Sequence, residues 1–223
     1  MSARVDEALA ALRTFGSGLA GRDLEAYHAA GLAPDEPVFG LGPSDAAFAV
    51  LGRDPGRDEL RHRTGFIGAS GRKLRDPLAA RWLGVDRPTL ADRLRVGERV
   101  FWLNTVPFKP IGNKAWPEAV RAACTPWVRA VLLHGCDAVN VLAFGQQAVQ
   151  WFGEDATAHL AQGEGAWGRP FEHVLTDATR TRRVQVWAMP HPSPLNVRWA
   201  RAFPDLYQAV LDAVLAGPAA DDV

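Results

Sequence analysis

The chain has 223 residues, 48% of them hydrophobic, and 25 basic side chains balance 25 acidic ones. That length and apolar content suffice for one domain with its own core and exclude a disordered chain. Zero net charge excludes a polybasic membrane anchor or a strongly basic chromatin protein, but not a compact nucleic-acid enzyme with one positive face.

In chain order, Val5, Leu9 and Leu12 recur at helical spacing, and a second helix is expected over about 22–30. Residues 1–30 therefore read as an N-terminal helical extension of a single domain spanning 1–223. The stretch 31–46 holds three prolines and three glycines and reads as loop. Four short apolar runs follow, at 48–52, 99–104, 138–145 and 184–190, without clean polar alternation, as in strands covered on both faces. Helical patterns lie at about 71–83 and 117–134, from Gln146, and from Trp199 onward. Pro126 either starts a new turn capped by Thr125 or kinks one longer helix. Trp82, Trp127 and Trp151 read as core, Trp116 as packed or groove-lining, and His134 as a helix C-terminal cap. Strands separated by helices predict a three-layer α/β/α sandwich with a central, mostly parallel four-stranded sheet. Ligands of such folds bind at the C-terminal strand ends.

Three strand ends carry chemistry. The first runs into GRDPGRDE (52–59) and HRTGFIGASGRKL (62–74), where a Gly/Pro-rich turn presents Asp54 at the rim. Neither GxGxxG nor GxxxxGK[ST] occurs, so dinucleotide and nucleotide-triphosphate binding lack support. Asn104 ends the second run; its amide offers a donor and an acceptor to a heterocycle edge, or closes the strand as an Asx-turn. His191 sits between Pro190 and Pro192 in MPHPSPLN (189–196) on stiff backbone. Taken singly, Asp54 reads equally as a helix cap or a partner of Arg53, and His191 as a packed loop histidine. Between Arg53 and Arg75, seven basic residues stand against three acidic ones, a local excess of +4.

Together, in this order, the three motifs resemble the uracil-DNA glycosylase superfamily over about residues 45–215. The resemblance implies a monofunctional glycosylase that hydrolyses the N-glycosidic bond of uracil in DNA and leaves an abasic site. It places Asp54 and His191 as catalytic residues, with Arg53, Phe66 and Asn104 on the flipped base. Gly56 becomes the substrate gate, and Arg57, Arg72, Lys73, Lys114, Ser193, Leu195 and Arg198 contact DNA, with the wedge at Leu195 to Arg198. The strictly uracil-specific members carry a Tyr where Gly56 stands, so a wider base range is an alternative. The iron–sulfur members carry four cysteine ligands and a Glu where Arg53 stands; here only Cys124 and Cys136 occur. A lesion-binding relative with weak turnover is the third reading. The expectation is no cofactor and no metal. The expected partner is uracil-containing or otherwise damaged DNA, with no membrane partner, for a cytoplasmic monomer that is nucleoid-associated while acting.

Overall fold

The computed structural model describes residues 2–193 and 196–216. Helix α1 (Ala3–Gly18) starts where Ser2 Oγ accepts the Val5 N–H, and α2 (Leu24–Ala29) starts where Asp23 Oδ1 accepts the Ala26 N–H. Strand β1 (Ala49–Gly52) is followed by α3 (Arg57–His62), α4 (Ala69–Leu83) and α5 (Leu90–Gly97) before β2 (Phe101–Asn104). Then come α6 (Glu118–Gly135), β3 (Asn140–Phe144), α7 (Gln146–Gln150), α8 (Glu154–Leu160), β4 (Pro170–Thr176), β5 (Thr181–Met189) and α9 (Phe203–Leu215).

The sheet order is β2-β1-β3-β5-β4, with β1, β2, β3 and β5 parallel and β4 antiparallel to β5. The α/β/α class stands, and the strand count is corrected from four to five. The four apolar runs are the parallel strands. β4 escaped because it is an edge strand with one open face: Phe171, His173 and Leu175 alternate with exposed residues, a pattern unlike the continuous runs of its neighbours. The hairpin that turns it into β5 is held by Asp177 Oδ1, which accepts the N–H groups of Thr179 (2.7 Å) and Arg180 (2.9 Å).

Strand alternation divides the core. Ala49, Leu51, Leu103, Val141 and Val186 face a layer of α1, α6, α7 and α8, while Val50, Trp102, Leu142 and Phe144 face α4, α5 and α9. Helix α6 runs unbroken through Pro126. Thr125 Oγ1 bonds back to Arg121 O (2.9 Å) instead of capping a new turn. Trp116 is packed, donating its Nε1–H to Phe108 O (2.9 Å), and His134 in the last turn of α6 bonds Asp177 at 2.6 Å. Among the described residues, no helix is long and apolar enough to cross a membrane.

This topology sends the C-terminal ends of β1, β2, β3 and β5 to one rim. It also makes α1 part of the first layer, with Val5 and Leu12 fully buried among sheet residues. Leu12→Ala is expected to cost about 2–5 kcal/mol by urea unfolding, the range for a buried leucine that leaves a cavity. A loss below about 1 kcal/mol would show that α1 rests on the core without belonging to it.

Candidate active site

In the β1–β2 register Gly52 lies beside Asn104. The Thr105 N–H and Oγ1–H donate to Gly52 O and Arg53 O, both at 2.8 Å, and the Val106 N–H donates to Arg53 O at 3.0 Å. These bonds tie the turn that carries Asp54 to the end of β2. A Cβ at Gly52 would stand 2.8 Å from Asn104 Oδ1 and 2.8 Å from the Phe66 ring, so only glycine lets ring and amide close on this backbone. Asn104 is buried and donates one N–H to Val38 O (3.3 Å), which fixes the amide plane. The Phe66 ring is backed by Trp102 and Phe144, with centroids at 5.9 and 5.5 Å.

Arg53, Asp54, Gly56, Phe66, Asn104, His191 and Ser193 line one cavity of about 440 Å³. Glu59, Ser70 and Asn113, which the sequence reading did not single out, complete its wall. Glu59 is a clamp. Its Oε2 accepts the Gly56 N–H (3.0 Å), and its Oε1 accepts those of Ile67 (2.9 Å) and Gly68 (3.1 Å), joining the first turn to the loop behind Phe66. A Cβ at Gly56 would collide with Glu59 Oε2, so the carboxylate occupies the space that a side chain at residue 56 would take. The spacing of Gly56 and Glu59 is that of a helix N-cap and its N3 acid, a signal legible in the sequence.

The Asp54 side chain is 6% exposed and is held by Arg53, whose Nε lies 2.5 Å from Oδ2 and whose Nη2 lies 3.4 Å from Oδ1. The same Nη2 donates to Asn113 O at 3.0 Å. Burial lifts the Asp54 carboxyl above its ordinary range; the hydrogen bond and charge of Arg53 and the charge of Lys109 oppose that rise, and Glu59 adds to it. Lys109 is itself buried, donating to Pro110 O (2.7 Å) and standing 3.5 Å from Asp23 Oδ2. It too was missed, because a lysine in a loop motif reads as solvated.

His191 is held from both sides. Its Nδ1 accepts the Ser193 N–H (3.1 Å), and its carbonyl accepts the Asn196 side-chain N–H (3.0 Å). With Nδ1 an acceptor, the neutral ring carries its proton on Nε2. Burial, then the nearby Arg53 charge, brings its pKa down to about 4.

The remaining candidates are more spread out. Arg57 is exposed on an adjoining trench of about 600 Å³ that shares Gly56, Glu59, Asn113 and Ser193 with the cavity. Lys114 is exposed just after the turn Ile111–Asn113. Arg72 and Lys73 are not brought into the cavity; they line a separate groove with Phe203. Arg198 is exposed and paired with Glu164. Leu195 lies outside the described residues, but in the same segment Val197 is 81% exposed. Cys124 and Cys136 are buried free thiols, the first pushed up to about 12 by burial. Two thiols are half the ligand set of a four-thiolate cluster.

A family model described as the uracil DNA glycosylase superfamily matches residues 39–215, most of the chain. No curated protein matches it.

The state of His191 is directly measurable. Ring ¹⁵N NMR is expected to give a neutral, Nε2-protonated imidazole at pH 7, titrating near 4 rather than 6.5. The unfolded chain binds this proton first, so the ring's contribution to stability is present above about 6.5 and is lost as pH falls from 6.5 to 4. Arg53→Gln removes one of the two causes and should move the titration upward. A wild-type midpoint at 6.5, or a proton on Nδ1, would contradict this geometry.

Proposed function

The chain belongs to the uracil DNA glycosylase superfamily, and from that membership we propose that it hydrolyses the N-glycosidic bond of uracil in DNA, leaving an abasic site without breaking the strand. The observation that carries the reading is the convergence of a stacking ring, an amide edge, a buried carboxylate and a neutral imidazole on one cavity. A base inside a duplex cannot reach such a rim, so the nucleotide is extruded into it. The unpaired bases left behind are supported by an apolar side chain; Leu195 and the exposed Val197 are the candidates. Exposed Arg57 and Lys114 beside the mouth favour backbone phosphates, which give salt-dependent binding without sequence preference.

In the pocket, Phe66 stacks on the flipped ring and Asn104 pairs with its polar edge. The C1′–N1 bond breaks with its electron pair leaving on the base, so positive charge grows on the sugar and negative charge on the pyrimidine. Asp54 faces the sugar charge, orients the water whose oxygen bonds C1′, and takes up its proton. The Nε2–H of His191 donates toward the pyrimidine oxygen where charge gathers, and a neutral ring does this without first losing a proton. Arg53 adds a fixed positive charge next to both groups. The departing anion is protonated at nitrogen, and the Asp54 proton passes to solvent.

One observation favours a wider base range. Gly56 puts no side chain at the gate, and a cavity of about 440 Å³ is roomy for a pyrimidine. Excision should therefore be compared on oligonucleotides bearing uracil, mismatched thymine, hypoxanthine and xanthine. Uracil is expected to be released fastest, and a faster second base would shift the assignment to that lesion.

Asp54→Asn is the sharper test of chemistry. Because the carboxylate acts as sugar charge develops, the single-turnover rate should fall about 10²- to 10⁴-fold. Binding to a non-cleavable uracil analogue should stay within a few-fold. In the wild type, activity should decline on acidification as Asp54 takes up a proton, at a pH above the usual carboxylate range. Cleavage by the variant at the wild-type rate would remove Asp54 from the chemistry.

A further inference from the structure

Arg75 in α4 is fully buried, and all of its hydrogen-bond partners among the described residues are neutral. Its Nε donates to Phe66 O at 2.8 Å, and its Nη2 donates to Gly65 O at 2.5 Å and Thr64 Oγ1 at 2.9 Å. Its Nη1 donates to Arg93 O at 2.7 Å, fastening the assembly to α5. The guanidinium lies 4.2 Å from the centroid of Trp102, one of the two rings that back Phe66. Burial lowers its pKa to about 10, which still leaves it cationic at neutral pH.

A buried cation with no hydrogen-bonded carboxylate among the described residues, favoured only at longer range by the charge of Glu59, is a costly way to fill a core. The cost has a counterpart at Phe66, which holds φ at +51°, a region that residues with a Cβ rarely adopt. Such a conformation persists only where the surroundings over-determine it. Here one planar fork takes acceptors from three consecutive residues, 64 to 66, a task for which a single ammonium has the wrong shape. One turn earlier on the same helix, Gly71 makes room for the Phe66 carbonyl, since a Cβ at Gly71 would collide with it.

We propose that Arg75 is a positioning residue that locks Phe66 into its left-handed conformation and so holds the ring as a preformed platform in the base pocket. The lock itself is a statement about the loop; its consequence for excision rests on the uracil reading above.

The test uses the full-length protein with Arg75→Lys, Gly71→Ala and Phe66→Leu. Gly71→Ala leaves Arg75 intact but displaces the Phe66 carbonyl, so the inference survives if one variant folds poorly. Backbone NMR couplings and ring shifts of Phe66 are expected to leave their wild-type values in both Arg75→Lys and Gly71→Ala. Uracil release from an oligonucleotide should fall about 10- to 100-fold in Arg75→Lys, the scale of a lost base stack. Arg75→Lys combined with Phe66→Leu should be no slower than Phe66→Leu alone, because Arg75 acts through that ring. Unchanged Phe66 couplings in Arg75→Lys, or losses that multiply in the double variant, would overturn the lock. A released Phe66 with uracil excision intact would keep the lock and instead sink the stacking role in the proposed function.

Discussion

At the rim of the sheet a ring and an amide approach each other across a stretch of backbone that has no room for a side chain. The parallel register of β1 and β2 sets Gly52 beside Asn104, and a Cβ there would stand 2.8 Å from both the Phe66 ring and the Asn104 amide. Strand pairing therefore fixes the Asn104 amide, and the Phe66 ring is brought against it by a loop that Glu59 and Arg75 hold. Strand pairing is the more rigid support, and the turn bearing Asp54 hangs from the same two strands through Thr105 and Val106. Preorganisation of this kind lets fixed dipoles act on developing charge without a reorganisation cost at the moment of reaction.

The electrostatics follow from that rigidity. Asp54 is buried enough to disfavour its charge, and Arg53 and Lys109 oppose the shift from two directions. The same Arg53 charge, added to burial, keeps His191 from taking a proton. One guanidinium thus favours an anion on one wall and a neutral donor on the other. Glu59 spends its oxygens on the backbone N–H groups of Gly56, Ile67 and Gly68, so the second carboxylate of the pocket serves as a brace.

Much of this arrangement was legible in the chain. Strands covered on both faces betray themselves as apolar runs, and the residues closing them (the Asp54 turn, Asn104 and the His191 loop) are where a parallel sheet delivers its chemistry. The edge strand β4 was hidden because one face is open and a polar residue, His173, stands on its buried face. The short helices α3, α5 and α8 fell below the length at which periodicity is readable. Long-range geometry was the real limit. Arg72, Lys73 and Arg75 lie within four positions of one another, yet two face a separate groove and the third is sealed beneath Phe66. No local pattern separates an arginine bound for phosphate from one bound for backbone carbonyls.

The measurement closest to the central claim is the product balance of the wild-type protein on a uracil-containing duplex. Free base would be quantified by mass spectrometry and set against alkali-labile sites in the same sample. Equal amounts of free uracil and abasic sites are expected, with strands cut only after alkali. Strand breaks without alkali, or abasic sites without free uracil, would contradict it, as would the absence of both products while the damaged DNA is bound.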